Sequence, residues 1–302
     1  MRGGVTLVAD TATGLDRERR TLQLASGRAV PWDRVSFNVG SRVAPMAAPT
    51  PDPKLWPAKP IAGLADLRAR LEQRFARAEP TPIVVVGAGA TGCELAANLL
   101  ALARRCRHRA AVTLVGAGER ILPEGPPGAA AALAAHLERH GARIRAATRA
   151  EAIEADGVRL ADGHEPAEHV VLATGLEADP LVQSLGLPAD RARRAARRRA
   201  AALDRRPARL RRRRLRRLRA APAAARRRVR RCAQAPVLLG NLAAALAGRE
   251  GRPFRPQRQW LAILDLGDGR ALALRGRRWA LGRWPRRLKE RLDRGFVGTF
   301  RM

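Results

Sequence analysis

Gly87, Gly89 and Gly92 stand at G-x-G-x-x-G spacing between a β-branched run, Ile83-Val84-Val85-Val86, and an alanine- and leucine-rich stretch from Thr91 onward. Residues without a Cβ at this spacing can bring a phosphate against the backbone. Gly87 permits the tight turn, Gly89 leaves no side chain in the path of a pyrophosphate, and Gly92 lets the next helix lie close to the strand. The free N–H groups and the dipole at that helix start then face the anion. The strand before and the helix after turn a weak motif into a dinucleotide-binding turn. Gly87, Ala88, Gly89, Ala90, Thr91 and Gly92 are therefore candidate cofactor contacts.

A second candidate lies further on, where the apolar run from His169 ends in Ala173-Thr174-Gly175. Small residues at a strand's carboxyl end let a cofactor lie close. The run Ala111–Val115 reads as the second strand of the βαβ unit, and an acid at its end usually holds the ribose of NAD. Gly116-Ala117-Gly118 stands there instead, followed by Glu119 and Arg120. Glu119 toward a ribose, Arg120 toward a 2′-phosphate, and both as solvated loop charges are all open readings, so the sequence does not decide between NAD and NADP. No acid–base triad is present, so no catalytic residue is assigned. The five histidines, His108, His136, His140, His164 and His169, fall at expected surface or strand-end positions, and no metal site is assigned. The cysteines Cys93, Cys106 and Cys232 form no C-x-x-C pair, which fits reduced thiols and a cytoplasmic setting.

Periodicity places the elements around these residues. Residues 5–9 and 32–41 read as strands, and 21–24 with 29–30 as a hairpin turning at Ser26-Gly27-Arg28. Proline-rich 44–60 reads as a linker or surface crossing, and Leu64, Leu67 and Leu71 mark an amphipathic helix over 61–78. A helix over 91–105 follows the glycine turn. Another over 127–140 ends at Gly141 before a strand at 142–146 and a hairpin around Asp156-Gly157. Near the carboxyl end, 260–266 and 270–274 read as a hairpin, and 279–300 as an amphipathic helix with Trp284, Leu288, Leu292 and Phe296 at four-residue steps. That helix either packs on the hairpin or rests its basic apolar face on an anionic membrane.

The chain carries a formal charge of +32 over 302 residues, unevenly spread. From Arg191 to Arg231 about half the residues are arginine, and Asp204 is the one acid. Leu210, Leu215 and Leu218 form a weak stripe that Pro207 and Pro222 interrupt. So many like charges imply a solvated stretch.

In the order of its motifs the chain resembles the FAD-dependent pyridine nucleotide-disulfide oxidoreductases, most closely their type II NADH dehydrogenase-like branch. The residues that carry the resemblance are Asp33–Ser41, Gly87–Glu94, Val112–Val115 with Arg120-Ile121-Leu122-Pro123, and Ala173-Thr174-Gly175. Gln234–Leu242, Phe254-Arg255-Pro256-Gln257 and Gly267-Asp268-Gly269 complete the set. The resemblance implies an α/β fold, with a Rossmann-like NAD(P)-binding domain inserted in an incomplete FAD-binding domain and a small C-terminal α+β region. The boundaries it implies are 1–48 for the FAD-domain remnant, 49–80 for linker and helix, and 81–176 for the NAD(P) domain. Residues 177–248 form the returning FAD segment, and 249–302 the hairpin and helix. It implies NAD(P)H and FAD as cofactors, a quinone-like acceptor, and a place in the cytoplasm or on the inner face of its membrane. Glu94 matches an acid near the nicotinamide, and Gln234 and Ala235 match the helix start facing the flavin.

Two departures follow. Relatives begin with their own glycine turn for FAD, whereas Met1 falls inside the FAD domain, and the expectation is that the purified chain does not retain FAD. The family's Gly-Asp before Gln234 is replaced by the arginine block. As one hypothesis, 191–232 comes from a shifted reading frame of a GC-rich gene; the other is a basic arm that binds RNA or DNA phosphates. The nucleotide sequence decides: a lack of Gly-Asp and strand pattern in both other frames sinks the first. A non-catalytic NAD(P)-binding module is the third reading.

Overall fold

A computed structural model describes residues 4–47, 54–178, 181, 228–254 and 259–298. The expectations for the arginine block, with Leu210, Leu215 and Leu218, lie outside the described residues as far as residue 227. Two compact units are present, Met1–Ser41 with Glu177–Gln257, and Arg42–Leu176 with Arg258–Met302.

The first unit contains a three-stranded antiparallel sheet in the order β1 (Ala12–Asp16), β2 (Thr21–Leu24), β3 (Ala29–Pro31). The expected hairpin is there, with Leu22 opposite Val30. The strands expected at 5–9 and 32–41 are not: residues 4–9 and 35–40 form no ladder, and only Ser41 enters a strand. Val5 and Leu7 are 78% and 89% exposed, so their β-branched and apolar character has no neighbouring strand to pack against. The later helix, α4 in chain order (Arg228–Leu246), tolerates Pro236 inside it. Asn241 closes the following turn, its Nδ2 donating to the Arg252 carbonyl at 2.9 Å and its Oδ1 accepting from the Arg252 N–H at 2.7 Å.

The second unit is built on a five-stranded parallel sheet. In chain order its segments begin with β4 (Ser41–Val43), β5 (Leu55–Pro57), α1 (Ala62–Ala76), β6 (Pro82–Val86), α2 (Ala90–Arg105) and β7 (Ala111–Val115). There follow α3 (Pro127–Arg139), β8 (Ala142–Arg145), the antiparallel trio β9 (Ala150–Glu154), β10 (Gly157–Leu160) and β11 (Gly163–Pro166), then β12 (His169–Leu172); β13 (Leu176–Ala178) begins here and continues into the residues of the first unit. The sheet order is β5-β12-β6-β7-β8. The chain runs outward from β6 to β8 and then returns to the other side of β6, so the strand order reverses between β6 and β12. In open α/β sheets ligands bind at the carboxyl ends beside such a reversal.

These strands are continuous apolar runs because both faces are covered. Ile83, Val85, Val112, Leu114 and Val171 pack with Leu67, Leu71, Phe75, Leu133 and Leu137 from the helices. Val84, Val86, Val170 and Leu172 meet Ile153, Val158 and Leu160 of the trio. Glu165 on β11 is buried against the sheet. Its Oε1 accepts from Thr113 Oγ1 at 2.8 Å, and Arg143 and Arg145 pair with it at 3.4 and 3.3 Å. β5 lies inside the stretch that its prolines mark as a linker. It is an edge strand, where Pro57 costs the sheet little.

The carboxyl-terminal part of this unit is a three-stranded antiparallel sheet, β14 (Ala262–Asp265), β15 (Ala271–Arg275) and β16 (Arg278–Gly282), followed by α5 (Arg283–Gly298). Leu264, Leu266, Leu272 and Leu274 join the core that α2 and α3 line. Trp279, expected in the helix, lies in β16 opposite Leu274, because β15 has an edge free to pair with one more strand. α5 is anchored at its start by buried Pro285 and by Arg286 on Asp265 at 3.2 Å. Trp284, Leu292 and Phe296 are about half exposed. No helix of the described residues is long and apolar enough to cross a membrane.

Candidate functional site

β6, β12 and α2 bring Gly87–Gly92 and Ala173–Gly175 together at the strand reversal. Gly87 has φ of +112°, and a Cβ there would stand 2.5 Å from the Ala173 carbonyl oxygen. Its N–H donates to the Val115 carbonyl and the Ala173 N–H to the Val86 carbonyl, both at 2.8 Å, which fixes the turn between β7 and β12. A Cβ on Gly92 would lie 1.8 Å from the Gly87 carbonyl oxygen and 3.3 Å from Ala173 Cβ. These two positions can hold only glycine.

Gly89 differs. A Cβ there would meet nothing within 4 Å. It is the N-cap of α2, no side chain caps the helix, and no acid occupies the first turn. The first N–H groups of a helix have no intrahelical partner, so an anion over Gly89 would meet open donors and the positive dipole end. Thr91 is exposed, Ala90 half-buried, and Ala88 buried. The Ala88 carbonyl accepts from the Leu122 N–H at 2.7 Å, which braces the turn from behind. Thr174 Oγ1 donates to the Ala44 carbonyl at 3.4 Å, and the Gly175 carbonyl accepts from the Ala44 N–H at 2.8 Å.

The missing acid at the end of β7 has a steric cause. A Cβ on Gly116 would lie 2.5 Å from Ala88 Cβ, so the glycine turn itself excludes a side chain there. Sequence reasoning saw the absence without this reason. Arg120 is committed to its own loop, donating to the carbonyls of Leu122, Pro123 and Gly125 at 3.1, 2.9 and 3.0 Å. Glu119 is exposed. Arg120→Ala is expected to lower stability by about 1–2 kcal/mol, the scale of lost charge-assisted hydrogen bonds. It should leave the NADH-to-NADPH affinity ratio unchanged. Thermal melts and calorimetry check this, and a selective loss of NADPH binding would return Arg120 to the cofactor.

Glu94 sits one residue beyond the first turn of α2, half-buried, and its Oε1 accepts from the Asp265 N–H at 3.0 Å. Asn98 Nδ2 donates to the Glu94 and Asp265 carbonyls, both at 2.8 Å, so α2 carries both the glycine turn and the seat of the hairpin. Gln234 and Ala235 lie in α4 of the first unit. Ala235 is exposed, and the Gln234 side chain lies outside the described residues. Burial pushes the Cys93 thiol up to about 12, which leaves it protonated and inert.

His136 corrects the surface expectation, whereas His169 does lie at a strand end, the start of β12, and is buried there. His136 and His169 are 2% and 1% exposed. The core side of α3 passes through His136, between Leu133 and Leu137, and β12 is covered on both faces. Trp56 Nε1 donates to His169 Nδ1 at 3.2 Å, and burial followed by the charges of Arg70, Arg74 and Lys54 lowers this histidine to about 4. His136 stands with His140 and Asp268. Their His-x-x-x-His spacing was the signal available in the sequence.

Residues 1–198 match the family model described as pyridine nucleotide-disulphide oxidoreductase. Among solved structures, the chain is similar to a NAD-dependent persulfide reductase from A. fulgidus, at 25% identity and a TM-score of 0.51, over 60% of this chain and 34% of that one. It is similar to the ferredoxin reductase for the CYP199A2 system from Rhodopseudomonas palustris, at 19% identity and a TM-score of 0.63, over 95% and 76%. The covalent putidaredoxin reductase–putidaredoxin complex matches at 18% identity and a TM-score of 0.57, over 88% and 62%. The chain thus spans about a third of the length of the persulfide reductase. No curated protein matches it significantly.

Proposed function

Because the chain belongs to the pyridine nucleotide-disulphide oxidoreductase family, we propose that its second unit binds NADH or NADPH for a flavin-dependent oxidoreductase reaction. The observation that carries this reading is the open space over Gly89, between two glycines that admit no side chain, at the start of an uncapped helix. The pyrophosphate is held by first-turn N–H groups of α2. Ala173 and Gly175 keep the floor of the crevice low, and Ala88 and Leu122 hold the turn rigid, so donors are in place before the ligand arrives. FAD, if bound, would supply the hydride-accepting flavin of such a reaction. Its expected contacts, Gln234 and Ala235, belong to α4.

The acceptor is a small oxidant outside the chain. A quinone follows from the resemblance to NADH dehydrogenase-like flavoproteins, and the exposed apolar residues of α5 would suit its membrane setting. A small electron-transfer protein is supported by the names of the ferredoxin and putidaredoxin reductases. Calorimetry with NADH and NADPH is expected to give micromolar binding of at least one. With FAD added, NAD(P)H oxidation should respond to a soluble quinone or to a ferredoxin, and the faster of the two identifies the acceptor. Failure to bind either dinucleotide overturns the reading. Binding without turnover reduces the chain to a dinucleotide-binding module.

A further inference from the structure

α3 carries His136, its C-cap is His140 one turn further on, and the Gly267-Asp268-Gly269 turn between β14 and β15 brings Asp268 to both. His136 Nε2 lies 3.4 Å and His140 Nε2 3.6 Å from Asp268 Oδ2. One donor atom from each residue lies within 4.8 Å of the others. Ligands about 2.0–2.1 Å from a tetrahedral ion stand about 3.3 Å apart along its edges. Two of the three edges are already close to that length.

The hydrogen-bond pattern adds a second, independent observation. His140 Nδ1 is 2.6 Å from the His136 carbonyl oxygen, which can only accept, so Nδ1 carries the hydrogen. With a hydrogen on Nδ1, Nε2 is the ring atom aimed at the Asp268 carboxylate, the atom an imidazole would offer to a metal. The same backbone contact is the outer anchor that metal-binding imidazoles ordinarily have. Asp268 Oδ1 accepts from the Arg270 N–H at 3.0 Å, which leaves Oδ2 for the histidines.

The geometry points to a site for a Zn²⁺-class divalent ion, held by His136 Nε2, His140 Nε2 and Asp268 Oδ2, with a fourth position open to water. The side chains of His140 and Asp268 are 23% and 12% exposed, so solvent reaches the cluster. Arg139, Arg270 and Arg104 stand around His136. With one carboxylate among three arginines the site suits neither Mg²⁺ nor Ca²⁺, which rely on several oxygen ligands. Two imidazoles favour Zn²⁺ and its transition-metal neighbours. The ion would fasten the hairpin tip to α3 through side chains that the nucleotide turn does not use.

The test is metal titration of the chelator-treated full chain with Co²⁺ and then Zn²⁺. One equivalent of Co²⁺ is expected to give the visible bands of a low-coordinate site, Zn²⁺ to displace them, and Zn²⁺ to raise the melting temperature. His140→Ala and Asp268→Asn should each weaken binding about 100-fold, with far-UV circular dichroism showing that both fold. His164→Ala, which takes the histidine from the group Glu154, Asp156 and His164, should leave the titration unchanged. No stoichiometric uptake by the parent overturns the site, since a proton on His140 then does the cation's work. Uptake that survives the His140→Ala, Asp268→Asn double variant overturns it too. Neither result bears on dinucleotide binding.

Discussion

Gly89→Val is expected to fold as the parent does and to lose NADH and NADPH binding, whereas Gly92→Val is expected not to fold. The two glycines belong to one motif, but their surroundings differ. At position 92 a side chain would overlap the backbone carbonyl of Gly87, at 1.8 Å from its first carbon, and no flexible group can give way. α2 must move off β6, where it buries Cys93, Ala96, Ala97 and Leu100. Overpacking in a core typically costs about 1–3 kcal/mol, and a side-chain carbon driven into a fixed backbone carbonyl belongs above that, at about 4 kcal/mol or more. That is a large share of the ~5–15 kcal/mol that holds an ordinary domain together. Position 89 has φ of −74° and ψ of −178°, extended backbone open to any residue, with free space around it. Valine there costs the helix cap at most about 1 kcal/mol. It fills the place where the pyrophosphate approaches, and an affinity loss of about 100-fold or more is expected, or ~2.7 kcal/mol. Urea melts and calorimetry on both variants separate the effects. Parent-like NADH affinity in Gly89→Val would remove the dinucleotide from this turn.

The contrast shows what a sequence can carry. The parallel sheet was legible wherever a segment's own residues decide its state. Pro82–Val86 and Ala111–Val115 are β-branched runs that make sense only inside a sheet, and Leu64, Leu67 and Leu71 mark one helix face. Outside the short hairpins, strands whose existence depends on a partner were not legible. Val5 and Leu7 look like strand residues but find no neighbour, while Leu55-Trp56-Pro57 looks like linker and becomes an edge of the main sheet. The site divides the same way. The glycine turn is local and could be read directly. Gly116 could not, because its constraint comes from Ala88, nearly thirty positions earlier in the chain. Asp268 sits in a hairpin turn more than a hundred residues after the histidines it meets, and only the packing of β14–β16 on α3 joins them.

His169 supplies the second large effect, through pH. The imidazole is 1% exposed, its Nε2 has no partner among the described residues, and Trp56 donates to its Nδ1, which favours the neutral ring. Burial, then the cations Arg70, Arg74 and Lys54, hold it at about 4, against an ordinary value of 6.5. Between these two values the unfolded chain binds a proton that the folded chain refuses. Stability therefore rises with pH across that window. Acidification below 6.5 is expected to destabilise the fold progressively, down to about pH 4, where both states are protonated and the effect levels off. The difference between the two values corresponds to at most about 3 kcal/mol. His169→Leu removes this titration while keeping a residue that suits β12. It costs Trp56 an acceptor, worth about 1 kcal/mol at a half-buried site. Urea melts of parent and variant at steps from pH 7 to pH 4 should show the parent losing more stability than the variant. Parallel curves would mean that His169 is protonated in the fold, with water or a carboxylate reaching Nε2. β12 also leads directly into Ala173, against the glycine turn, so acid-induced loosening at its start should weaken dinucleotide binding in the same window, in the parent and not in His169→Leu.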